Sequence, residues 1–195
     1  MLLNILKQVN WVDIFILAVI IRTSAIAAKS GFPVELFKFL GTLAAVYFSL
    51  HYYTLLAGYA AEWLPLLSRK MPFAFLEFIV CVILAGAGYA VFILLRSIFY
   101  SFLKMEAVST LNKWGGLALG IARGICLSSL LVFMMFISSI SYLATSARTS
   151  YSGKRVFAVA PDTYSWLWEN VGSRFCLNEK FNAGVTAAKE GFLQE

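Results

Sequence analysis

Four apolar stretches, each long enough or nearly long enough to cross a bilayer, dictate what this chain can fold into. They occupy residues 11–28, 34–61, 73–102 and 114–143. Crossing a hydrocarbon core of about 30 Å takes ~20 mostly apolar residues in a helix. The last three stretches meet that length; the first, with 18 residues before Lys29, is marginal. The runs are too long for strands and lack strict alternation. A helix satisfies its own backbone hydrogen bonds, as hydrocarbon demands. The expected fold is all-α, a polytopic membrane protein with spans over about residues 11–30, 34–60, 73–102 and 114–143.

Composition agrees. Only 13% of the 195 residues are charged, against about 25% in an ordinary soluble domain. That excludes a disordered chain, a nucleic-acid-binding domain and a typical soluble enzyme. The net charge of +6 fits lipid head groups and topology, so the bilayer is an expected partner and nucleic acid is not. Residues 1–143 hold 15 charged side chains and residues 144–195 hold 11. This shift divides a transmembrane region, 1–143, from a C-terminal tail, 144–195.

Polar punctuation separates the stretches: Ser30-Gly31-Phe32-Pro33; then Pro65, Arg69, Lys70 and Pro72; then Lys104, Glu106, Ser109, Asn112 and Lys113. Trp11, Trp63 and Trp114 stand at stretch ends, where amphipathic rings favour the interface. Lys7 and Ala25-Ile26-Ala27 have the outline of a cleaved signal, but Asp13 and Arg22 interrupt it, so the first stretch reads as a retained span. An even number of spans puts both termini on one side. Near the span ends, Lys7, Arg69, Lys70, Arg148, Lys154 and Arg155 then fall on one side and Lys29, Lys38, Arg96, Lys104 and Lys113 on the other, six against five, so the positive-inside rule assigns no orientation.

Ionisable groups inside a span mark pairing or a polar path. Arg123 lies nine residues after Trp114, and Arg22 nine after Asp13, each about 13 Å along a helix. Asp13, Glu35 and Glu77 are the candidate partners. Asp13 and Glu35 also suit the positive ends of the first two helices. Gly116, Gly120, Gly124 and Ser128 recur every fourth residue, which allows close backbone approach along a packing seam. The seam serves either this chain or a second copy. Gly86 and Gly88 in the third span are either the receiving surface or a local flexible point.

No catalytic or metal-site pattern appears. His51, beside Tyr52 and Tyr53, reads as an interfacial polar residue. Cys81, Cys126 and Cys176 have no zinc or CxxC spacing. There is no P-loop, dinucleotide fingerprint or nucleophile elbow, so no enzyme, cofactor or metal is expected. In the tail, Arg148, Lys154 and Arg155 suit anionic lipid. Pro161 and Asp162 read as a helix start. Tyr164, Leu167, Trp168, Val171 and Phe175 form one helical stripe, and Phe181, Val185, Ala188 and Phe192 form a second. Two short amphipathic helices are expected, lying on the membrane or covering the end of the bundle, with partner docking as the alternative.

Three blocks resemble the CvpA (colicin V production) family of bacterial inner-membrane proteins. The first is Trp11-Val12-Asp13, the turn Gly31-Phe32, then Glu35 and Gly41. The second is Leu111-Asn112-Lys113-Trp114-Gly115-Gly116, Gly120 and Arg123-Gly124, with Asn112-Lys113 where the family shows Asp-Arg. The third is the weaker pair Ser152-Gly153 and Ala160-Pro161. The resemblance implies a multi-pass protein of the bacterial inner (cytoplasmic) membrane that supports toxin production, export or envelope homeostasis. We expect a non-enzymatic, helix-packed scaffold or accessory, as a homo-oligomer or with a membrane-protein partner. The alternative is a small channel or transporter whose polar path includes Arg22 and Arg123.

Overall fold

The computed structural model describes residues 9–64, 71–102, 109–175 and 179–194. The described residues are helical, with no strand among them. Helix α1 spans Trp11–Ser30, α2 Phe32–Trp63, α3 Phe73–Phe102 and α4 Ser109–Ile137. All four contain a segment long and apolar enough to cross a membrane. The tail forms α5 (Ser141–Thr149), α6 (Tyr151–Val156), α7 (Val159–Leu167), a π-helical turn (Trp168–Gly172), a short turn (Ser173–Phe175) and α8 (Ala183–Leu193). The predicted punctuation at Pro65, Arg69, Lys70, Lys104 and Glu106, like Lys7, Cys176 and Asn178, lies outside the described residues.

Local chemistry sets the ends of these helices. Asn10 caps α1 by accepting the Val12 N–H, and Asp13 accepts the Asn10 N–H in return, both at 2.8 Å. This reciprocal box satisfies two otherwise orphaned donors. Gly31 ends α1 with φ +81°, a conformation that L side chains rarely adopt. Pro33 then stands in the first turn of α2, where a missing N–H costs nothing. Helix α4 starts five residues before Trp114, so Ser109, Asn112 and Lys113 are helical rather than loop.

The fourth helix also stops sooner than hydropathy suggests, at Ile137 rather than Leu143. Ser139 takes φ +59° just beyond it, and Ser138 turns its hydroxyl back to Met135 O at 2.8 Å. A left-handed residue there ends a helix, and glycine does so without the Cβ penalty. Ser139→Gly is therefore expected to raise stability by about 0.5–1 kcal/mol in chemical unfolding of detergent-solubilised protein.

Packing runs α3–α2–α4–α1. Gly41 of α2 receives the Phe92 ring base of α3, and Gly88 of α3 lies against the Ala44–Ala45 backbone. Tail and spans share one core: Val12, Leu50, Phe133, Phe157, Tyr164 and Phe192 are all buried in it. Phe157 and Phe192 stack at 3.7 Å, and Phe157 also stacks on Phe133 of α4. The tail thus covers the bundle end where α1 begins and α4 finishes. Its first stripe holds through Trp168. The π turn then shifts the register, leaving Val171 and Phe175 exposed. Trp11, Trp63 and Trp114 are exposed, as interfacial rings should be. Outward-facing Ile14, Leu17, Ile21, Ile83 and Leu94 make an apolar exterior suited to lipid.

Candidate functional site

The residues carrying the family resemblance meet one another. At the α1–α2 turn, Asn112 Oδ1 accepts the Phe32 N–H at 2.7 Å, and the Asn112 amide fills the space beside Gly31. Gly115 lies against the Phe32 ring, and Gly116 against Ala27 O and the Gly31 carbonyl carbon. An amide oxygen suffices for this bond, so Asn112 works where the family shows aspartate. Asn112→Asp should leave stability within about 0.5 kcal/mol, while Asn112→Leu should cost about 1–3 kcal/mol by orphaning the Phe32 N–H. Thermal unfolding of the two variants in one detergent checks the order.

The glycine seam is intramolecular, and its receiver is α1. A Cβ at Gly120 would overlap the Ala27 methyl, and one at Gly124 would overlap Thr23 Oγ1 and stand 3.1 Å from Ile20 Cα. Ser128 continues the row and is buried. The expectation that Gly86 and Gly88 receive this seam is corrected. Gly88 packs on α2, and Gly86 faces open space. The α1 face that offers Ala27, Thr23 and Ile20 has no glycine pattern of its own, so the sequence carries little signal for it.

One of the two deep arginines is paired. Arg123 reaches back along α4, as helical side chains do, and its Nη1 stands 2.9 Å from Glu35 Oε2. Lys38 Nζ sits 2.5 Å from Glu35 Oε1 and 3.1 Å from Ser30 Oγ. Glu35 is 0% and Arg123 4% exposed. One carboxylate therefore holds two cations between α2 and α4. Arg123 Nε and the Ser24 and Ser128 hydroxyls have no hydrogen-bond partner among the described residues.

The other site residues go elsewhere. Arg22 is on the exposed side of α1, so it and Arg123 do not line a shared path. Asp13 pairs with neither arginine. Its Oδ1 accepts from Ser150 Oγ at 2.8 Å and from the Ser152 N–H at 2.6 Å, tying the tail to the start of α1. Ser129 of α4 likewise donates to Phe157 O and accepts the Ala160 N–H. Glu77 is half-buried near the start of α3. Arg148, expected at lipid, donates to Gly191 O at 3.0 Å and lies over Phe136.

A second polar cluster was not legible in the sequence. His51 is buried, between Tyr164 Oη at Nδ1 and Glu179 Oε2 at Nε2, each at 2.9 Å. Tyr52 also donates to Glu179. Asn182 donates its N–H to Tyr164 Oη and its amide to Leu50 O. Burial pushes the Tyr164 phenol up to about 12, against the lowering effect of the Asn182 N–H. The phenol therefore keeps its proton at neutral pH. His51 is 19 residues past Phe32, about 28 Å along α2, so the cluster lies near the opposite membrane face. A lone histidine gave no sign of partners more than a hundred residues away. No group that could hold a metal ion occurs among the described residues.

Four apolar spans, a glycine seam and an interhelical ion pair define a multi-pass α-helical membrane protein. The colicin V production protein family matches residues 12–160, and the chain belongs to it. Membership supports a role in colicin V production. No curated protein and no solved structure matches the chain.

Proposed function

We propose that the protein is a non-enzymatic accessory or scaffold of the bacterial inner membrane that supports production or export of a colicin V-type toxin, or envelope homeostasis. One observation carries the reading. The residues that carry the family resemblance, with Asn112 standing where the family shows aspartate, hold helices together. Gly31, Phe32 and Asn112 lock a turn, Gly116, Gly120 and Gly124 admit α1, Glu35 pairs with Arg123, and Asp13 anchors the tail. Motifs used in this way preserve a shape, and a shape serves a partner.

A gene-deletion strain carrying a colicin V-type toxin tests this. Wild type should restore toxin release. So should the double variant Glu35→Leu with Arg123→Leu, because an accessory needs the fold and not this buried ion pair. Loss of release from this variant, at normal protein level in the membrane, contradicts the reading.

The second reading is a small channel or transporter. It is favoured by Arg123 Nε, Ser24 Oγ and Ser128 Oγ, buried polar atoms without a hydrogen-bond partner among the described residues, which water satisfies where there is room for it. Arg22 takes no part in it, since it faces outward.

A further inference from the structure

We propose that the outward face of α1 docks a transmembrane helix of another protein, one that carries a carboxylate at mid-depth opposite Arg22. This rests on the accessory reading and names the chemistry of the partner. Helix α1 is an edge helix, with its inner face against α4 and the tail. Its outer face presents Ile14, Phe15, Leu17, Ile21 and Ile26, all exposed, with Arg22 in their midst. No hydrogen bond or ion pair engages Arg22 among the described residues. It lies eight residues before Ser30 and eleven after Trp11, about 12 and 16 Å from the two ends.

Cations at such depth face the protein interior or pair with one another's counter-charges. Arg123 obeys that rule, and Arg22 does not. Snorkelling is poorly served by the geometry. The nearer end of α1 is the C-terminal one, whereas helical side chains lean toward the N-terminus. A second copy fits badly too. A two-fold contact along this face would set Arg22 against Arg22 at equal depth. The chain's own carboxylates do not complement it. Asp13 and Glu35 are buried and bonded, and Glu77 stands only four residues after Phe73, near a span end. The charge complement that remains is an Asp or Glu on a different membrane helix.

Poly-leucine transmembrane peptides with a central Glu, Gln or Leu provide the probe. Energy transfer would be measured between labelled peptide and labelled full-length protein in phosphatidylcholine liposomes. The Glu peptide should associate at least tenfold more tightly than the Leu peptide. Arg22→Leu should abolish that preference, and Arg22→Lys should retain most of it. Equal association of all three peptides overturns the inference, as does a Glu preference that survives Arg22→Leu. Two further results also overturn it: loss of the preference when phosphatidylglycerol is added, which assigns Arg22 to lipid head groups, and Arg22-dependent transfer between two copies of the chain. The accessory reading is tested separately by toxin release and ion flux, so it stands or falls apart from this result.

Discussion

Glu35→Gln is expected to destabilise the bundle by about 3–5 kcal/mol, and Arg123→Gln by distinctly less. The asymmetry follows from the count of charges around one carboxylate. Without Glu35, Arg123 and Lys38 face each other uncompensated, and Arg123 has almost no exposure through which to escape. Without Arg123, Glu35 keeps Lys38 at 2.5 Å. Replacing Glu35 and Arg123 together by Leu should recover most of the Glu35→Gln loss, since the buried Arg123 charge goes with its carboxylate and only the partly exposed Lys38 loses a partner. Lys38 then moves toward Ser30, which it already touches. Unfolding by dodecyl sulfate in mixed micelles reads all four proteins. Equal losses for the two single variants would show that Lys38 does not share Glu35.

Gly120→Ile should cost about 3 kcal/mol, at the upper end of overpacking effects. Even one added carbon overlaps the Ala27 methyl, and Thr23 O lies 3.2 Å from the same point. Backbone cannot swing aside as a long side chain can. Transferring the methyl, as Gly120→Ala with Ala27→Gly, should recover at least 1 kcal/mol of the loss from Gly120→Ala alone. Recovery stays partial because a glycine within a helix costs about 1 kcal/mol. A double-mutant cycle measures the coupling. If Gly120→Ile leaves unfolding unchanged and instead lowers the oligomeric state, the seam joins separate copies and not α1 to α4.

The spans were legible because lipid leaves a chain few solutions. Length and hydropathy located all four helices, and the four-residue spacing of Gly116, Gly120 and Gly124 announced a close contact. What that contact touches was not legible. Ala27, Thr23 and Ile20 are ordinary residues for a span, and only the antiparallel pairing of α1 with α4 selects them. In the sequence Arg123 marks either pairing or a polar path, with Glu35 among three candidate partners, and the capture of Asp13 by Ser150 and Ser152 depends on a tail folded back over the bundle. The His51 cluster failed for the same reason, since Tyr164, Glu179 and Asn182 come from separate tail segments. The helix stop at Ser139 and the π turn after Leu167 are backbone events with no strong residue signature.

Ion flux through liposomes holding the pure protein most directly tests a closed bundle that acts through partners. Potassium and chloride flux should stay at the level of protein-free liposomes for wild type, for Arg123→Gln and for the Glu35→Leu, Arg123→Leu variant alike. Flux above that level in correctly inserted wild-type protein, altered by Arg123→Gln, would contradict it and place Arg123 on a conduction path.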